Sequence, residues 1–103
     1  MINYILTAEA DLRGIIRYTA KEWGAVQVRR YIARLEQGIS KLAIGLGPFR
    51  EMSEIFPGLR VGHCERHYVF CLPRENAPAL IIAIFHERMD LMTRLADRIS
   101  PKS

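Results

Sequence analysis

The stretch Ala79-Leu80-Ile81-Ile82-Ala83-Ile84-Phe85-His86-Glu87-Arg88-Met89-Asp90 decides how the chain reads. Its first seven residues are apolar without a break. Mostly aliphatic and too few for a core helix, they predict a strand covered on both faces, and such a strand sets the layers of a domain. His86, Arg88 and Asp90 follow at once. The densest polar cluster of the chain therefore falls at the carboxyl end of its most buried element, where a functional site is to be sought.

Residues 73–78, with a proline at each end, form a turn into this strand. Before it, Tyr68, Phe70 and Leu72 alternate with His67, Val69 and Cys71, and residues 59–65 are similarly extended, so the two runs predict a hairpin. Its turn near Glu65-Arg66 lacks the glycine or asparagine of a tight primed turn, which leaves the register open. On the carboxyl side, Asp90 predicts the cap of a short helix with Leu91, Met92, Leu95 and Ile99 as its apolar side and Pro101 as its stop. Arg88 and Asp90 are expected to pair across the turn between strand and helix.

Farther back, Ile2, Tyr4 and Leu6 alternate as a first strand over residues 2–6, and Thr7 is expected to cap the helix that follows. Ala8, Leu12, Ile15, Ile16, Thr19 and Trp23 form its apolar stripe, with Trp23 expected to pack inside a helical hairpin. Gly14 costs such a helix about 1 kcal/mol relative to alanine, so close packing against a neighbour is expected there. Gly24 ends the helix in a conformation open to glycine, and the pattern resumes at once with Val28, Ile32, Leu35, Ile39 and Leu42. Arg30, Arg34 and Lys41 lie on the opposite side of this second helix. Residues 48–57 show no period and read as a connection with one turn of structure. The whole predicts one α+β domain over residues 1–103, in the order β-α-α-β-β-β-α. The helical hairpin packs on a small, mainly antiparallel sheet, drawn with four strands in an antiparallel or mixed arrangement.

With 103 residues the chain can bury about two thirds of its unfolded surface, so it needs no covalent staple. Cys64 and Cys71 are too few for a disulfide framework and are expected to be free thiols in a reducing cytosol. No leader pattern is visible, and no apolar run approaches the roughly 20 residues of a membrane span, so the expectation is a cytoplasmic protein. The net charge of +4 is unevenly placed: residues 1–50 carry eight Lys/Arg against four Asp/Glu, whereas residues 51–103 carry seven of each. The excess sits largely on the second helix and suggests an acidic partner or nucleic acid, although charge alone favours a solvated helix face.

Several short motifs resemble the ParE branch of the ParE/RelE toxins of type II toxin–antitoxin pairs. Leu6-Thr7-Ala8-Glu9-Ala10-Asp11-Leu12 is similar to the family's opening. Tyr18-Thr19, Trp23-Gly24 with Gln27, Tyr31 with Leu35, Pro57-Gly58-Leu59-Arg60 and His67-Tyr68-Val69-Phe70 follow in family order. Ile84-Phe85-His86-Glu87-Arg88-Met89-Asp90 resembles the ending Leu-His-x-Arg-Met-Asp. The chain departs from the branch at Cys71, Leu72 and Arg94, where an aromatic residue, a basic residue and a histidine are common. The resemblance implies a toxin that blocks DNA gyrase by binding it and is held inactive by a cognate antitoxin. It implies no enzymatic activity and no cofactor. Arg60, His86, Arg88 and Arg94 are the expected target contacts, and Arg30, Arg34 and Lys41 the expected antitoxin contacts.

The alternative is RelE-like, ribosome-dependent cleavage of messenger RNA. That chemistry needs a base, an acid and cations around the scissile phosphate, for which His67, His86, Arg60 and Arg88, with Arg66 beside them, have the right side chains. His67 alternates with Val69 and Cys71 as a satisfied sheet-face residue would, and no terminal tyrosine or lysine cluster of the RelE kind follows. Alternation also separates Cys64 from His63 and His67, so no metal site is expected. Neither a membrane nor a specific nucleic-acid sequence is expected as a partner.

Overall fold

The computed structural model describes residues 2–99. The elements run β1 (Ile2–Tyr4), α1 (Leu6–Ala43), β2 (Arg50–Glu51), β3 (Arg60–Cys64), β4 (His67–Leu72), β5 (Ala79–His86) and α2 (Leu91–Ile99). A straight helix of 38 residues would span about 57 Å, yet the longest dimension of the molecule is 39 Å. The break is at Gly24, with φ 85° and ψ 171°, a conformation essentially confined to glycine. It divides α1 into two arms, residues 6–23 and 25–43, and both bury side chains in one core against the same face of the sheet.

The sheet has five strands in the order β1-β5-β4-β3-β2. β1 lies parallel to β5, and the remaining pairs are antiparallel. The strand read as central is the second in this order and is covered on both faces. One face carries Ala79, Ile81 and Ile84 into a core shared with Ala8, Ile15, Leu35 and Ile39 of α1. The other carries Ala83 and Phe85 into a second core with Met52, Leu59 and Leu95.

A β-bulge makes that division possible. Phe70 pairs with Ala83 but Cys71 pairs with Ile81, which leaves Ile82 without a partner on β4. The extra residue reverses the alternation: odd-numbered Ala79 and Ile81 face the hairpin, and beyond the bulge even-numbered Ile84 does. His86 is thereby carried to the hairpin side, directly opposite His67.

Several expectations are corrected. The first strand stops at Tyr4 and α1 begins at Leu6. Thr7 is not the cap: Ile5 stands there without a side-chain bond. The backbone of Ile5 serves both elements, its N–H donating to Ile81 O at 3.1 Å and its C=O accepting from Glu9 N at 3.0 Å, so no residue is left for a capping turn. Trp23 is not packed inside the hairpin but is 69% exposed. Residues 20–27 are all exposed, so the tip of the hairpin stands clear of the core. Gly14 has no close neighbour, for nothing lies within 4 Å of the place its Cβ would take. The segment 48–57 contributes a fifth strand, β2, pairing Arg50 with Val61 and Glu51 with Arg60; two residues are too few to show a period. The β3–β4 hairpin forms with Cys64 opposite His67, and Glu65 supplies the positive φ of 57° that glycine would otherwise take. Pro101, expected to stop α2, lies outside the described residues.

Candidate functional site

A groove of about 1300 Å³ runs between the first arm of α1, the carboxyl end of β5 and α2. The polar cluster that follows the central strand opens into it. His86 and Arg88 stand on its border with Arg94 of α2, and the exposed aromatic rings of Tyr18 and Trp23 line its α1 side. Three of the four residues expected to meet a target are thus brought together.

Arg60 is not among them. The register pairs it with Cys71, at the far end of β4 from His67 and His86. Its Nη1 donates to Leu42 O at 3.2 Å and Ala43 O at 3.5 Å, and its guanidinium lies 4.7 Å over the Phe49 ring. A cation on the last carbonyls of a helix satisfies acceptors that have no intrahelical partner. Arg60 closes the end of α1.

The histidines are tied down. His67 is 8% exposed, and its Nδ1 lies 2.6 Å from Tyr31 Oη. That oxygen also accepts the Arg66 backbone N–H at 3.1 Å. Burial, and next the neighbouring His86, bring the His67 pKa down to about 4. Neutral near pH 7, buried and bonded to the phenol, His67 carries no imidazolium proton to give as an acid. Its ring meets that of His86 edge to face at 5.3 Å, and His86 Nδ1 accepts the Arg88 N–H at 3.1 Å.

The expected pairing of Arg88 with Asp90 is replaced by a helix cap. Asp90 Oδ1 accepts Thr93 N–H at 3.3 Å and its Oδ2 accepts the Thr93 hydroxyl at 2.9 Å, bonds that hold its pKa below the usual carboxylate value. Glu87 takes His63 at 2.8 Å instead, and Arg66 at 3.8 Å. The hydrogen bond from His63 lowers the Glu87 pKa.

Sequence reading missed one pair at the edge of the site. Arg98 of α2 meets Asp11 of α1 through Nη1–Oδ2 at 3.0 Å and Nη2–Oδ1 at 3.2 Å. Asp11 Oδ2 also accepts the Ile84 N–H at 3.0 Å, while Arg98 Nη1 donates to Ile82 O at 2.9 Å. β1 ends opposite Ile81, so the backbone of β5 beyond that point has no strand on this side. The ion pair takes the place of one. A signal was present: Asp11 lies three residues after Ala8 and four before Ile15, and Arg98 three after Leu95, so each charge sits on an apolar stripe.

Arg30, Arg34 and Lys41 are exposed on the second arm, as drawn from the helical period. Arg34 and Lys41 border a smaller cleft of about 270 Å³ in which Gly38 and Cys64 also take part. Both cysteines are buried free thiols. Burial raises the Cys64 pKa and brings that of Cys71 to about 11.

A strand, a helix folded back at Gly24, a mixed five-stranded sheet and a closing helix make the α+β architecture of the ParE/RelE type. Residues 2–91 match the family described as the ParE toxin of type II toxin–antitoxin system, parDE, and the chain belongs to that family. It is 73% identical over 101 residues to a Toxin ParE of Escherichia coli, covering 96% of this chain and 98% of the relative. It is 29% identical over 91 residues to the Toxin ParE1 of two Mycobacterium tuberculosis strains, CDC 1551 / Oshkosh and ATCC 25618 / H37Rv, covering 86% of this chain and 93% of each relative. The family read from the motifs is the family these comparisons return. A toxin of such a system implies an antitoxin as partner.

Proposed function

We propose that this toxin acts by binding DNA gyrase and arresting it on cleaved DNA, and that a cognate antitoxin neutralises it. The reading takes its target from the resemblance of the motifs to the ParE branch. The observation that favours binding over cleavage is the state of His67, buried, neutral and bonded to Tyr31. A ribonuclease that used His67 as its acid or base would need that ring free to exchange a proton. The binding surface proposed is His86, Arg88 and Arg94, held by β5 and the cap of α2. A surface formed before contact loses less entropy on association. The antitoxin is proposed to engage Arg30, Arg34 and Lys41.

The chain is proposed to work in the cytoplasm as a single domain. Among the described residues, no helix is long and apolar enough to cross a membrane.

The test incubates antitoxin-free protein with gyrase, supercoiled DNA and ATP, then looks for linear DNA after detergent and protease. Linear DNA and lost supercoiling activity are expected, and both should decrease in Arg88→Ala. A folded preparation that leaves gyrase untouched at micromolar concentration overturns the target. Messenger RNA cut in a purified translation reaction, and left whole by His67→Gln, would establish the RelE-like alternative instead.

A further inference from the structure

The positive excess of the second arm of α1 is arranged more narrowly than a solvated face requires. At 3.6 residues per turn Arg30, Arg34, Gln37 and Lys41 fall within about 60° of one another, a straight row about 16 Å long. All four are exposed. Among the described residues, none of the three cations makes an ion pair. Glu36, the only acid between Gly24 and Arg50, stands about 100° round the helix from the nearest of them. It lies towards Tyr4, whose pKa is raised by burial and then by Glu36. The row ends in the smaller cleft of about 270 Å³, where Arg34, Gln37 and Lys41 meet His63 and one acid, Glu65.

We infer that this row binds the phosphate backbone of duplex DNA without reading its sequence. The side chains suit that chemistry: a guanidinium takes phosphate oxygens in pairs, lysine meets them as a point charge, and glutamine donates from its amide. The face also lacks what a protein partner needs. Between Val26 and Ile44 no large hydrophobic side chain of the described residues is exposed, whereas the core of a protein interface is enriched in aromatic residues and depleted in charge. In length the row matches about five phosphates of one strand, at 3.4 Å of axis each. The inference rests on the reading of this chain as a toxin that arrests gyrase on DNA, which puts a duplex within reach. The groove and this cleft have no lining residue in common, so one toxin can hold the enzyme through His86, Arg88 and Arg94 and the DNA through the second arm. Two linked contacts hold more tightly than either alone. An antitoxin that engages the same cations displaces the DNA as well.

The test follows the fluorescence anisotropy of a short labelled duplex titrated with antitoxin-free, full-length protein. Three neutralised phosphates predict a log–log salt slope of about −2.7, so affinity should fall about 40-fold between about 50 and 200 mM salt. Arg30→Gln, Arg34→Gln and Lys41→Gln should each flatten that slope by about 1, and equally on two unrelated sequences. The triple variant should lose binding. No binding by the wild type at low salt up to about 10⁻⁴ M, the weak end of non-specific DNA binding, overturns the inference. A folded triple variant that binds like the wild type overturns it too. If the triple variant does not fold, the single variants are read by slope, and unchanged slopes count against the row. Single-stranded RNA bound more tightly than the duplex, or polyglutamate of equal charge that displaces the duplex equally well, gives the row to another partner and overturns the assignment. The gyrase assay is run separately on the same protein. DNA binding without gyrase inhibition removes the target and keeps the row, and inhibition by a protein that does not bind the duplex does the reverse.

Discussion

His67 lies where β4, β5 and the second arm of α1 meet, and its state depends on all three. Burial lowers its pKa most, His86 and His63 lower it further, and Glu87 opposes them, to reach about 4. The unfolded chain, with an ordinary value near 6.5, binds a proton between pH 6.5 and 4 that the folded chain refuses. The stability this histidine contributes is therefore complete above pH 6.5 and is lost as pH falls towards 4, up to about 3 kcal/mol in all. Urea unfolding at pH 7 and pH 4.5 should show a larger loss in the wild type than in His67→Gln, which keeps an acceptor for Tyr31. Parallel losses would show that another group carries the effect. Tyr31→Phe removes the hydroxyl that serves both His67 and Arg66 N–H and should cost about 1–3 kcal/mol at pH 7. Alternation along β4 was enough to mark His67 as a sheet-face residue. Its tyrosine partner, 36 residues away, left no trace in local pattern.

At the level of elements, the Asp11–Arg98 pair joins α1 to α2 across the uncovered edge of β5. Asp11→Ala leaves Arg98 without its counter-ion and Ile84 N–H without an acceptor, and should cost about 3 kcal/mol. Arg98→Ala should cost a similar amount, and the double variant much less than the sum, because the two act as one unit. Additive losses in a double-mutant cycle would contradict a shared clamp. The break in α1 offers a second measure. Gly24→Ala places a Cβ on a backbone with φ 85° and ψ 171° and should lower stability by more than about 1 kcal/mol, although alanine favours helices. An unchanged melting temperature would mean the turn relaxes freely. Gly24 was legible because glycine after an apolar stripe signals a helix end. The bulge at Ile82 was not, since an unbroken aliphatic run looks the same with or without an extra residue.

Over the whole molecule, the positive excess of residues 1–50 is carried in part by Arg30, Arg34 and Lys41 on the exposed side of α1. Charges of this kind steer encounter more than they hold a complex together. Arg30→Glu with Arg34→Glu should slow antitoxin association at low salt and flatten its salt dependence, while changing dissociation little. Stopped-flow rates that match the wild type at low ionic strength would remove these residues from the interface.

What the amino-acid sequence determined alone was what local chemistry can specify. A run of aliphatic residues made a buried strand, glycine broke the helix, alternation divided β4 between two faces, and Asp90 capped α2. The ordered motifs added the family. What only the tertiary structure decided was which distant groups share a place. The parallel pairing of β1 with β5 and the two-residue strand β2 depend on long-range closure. One unpaired residue at Ile82 turned His86 towards His67 and the groove, and the register of β4 took Arg60 away from that groove to the end of α1. Side-chain direction reverses with every residue of a strand, so a single irregularity that leaves the sequence pattern untouched redirects everything beyond it.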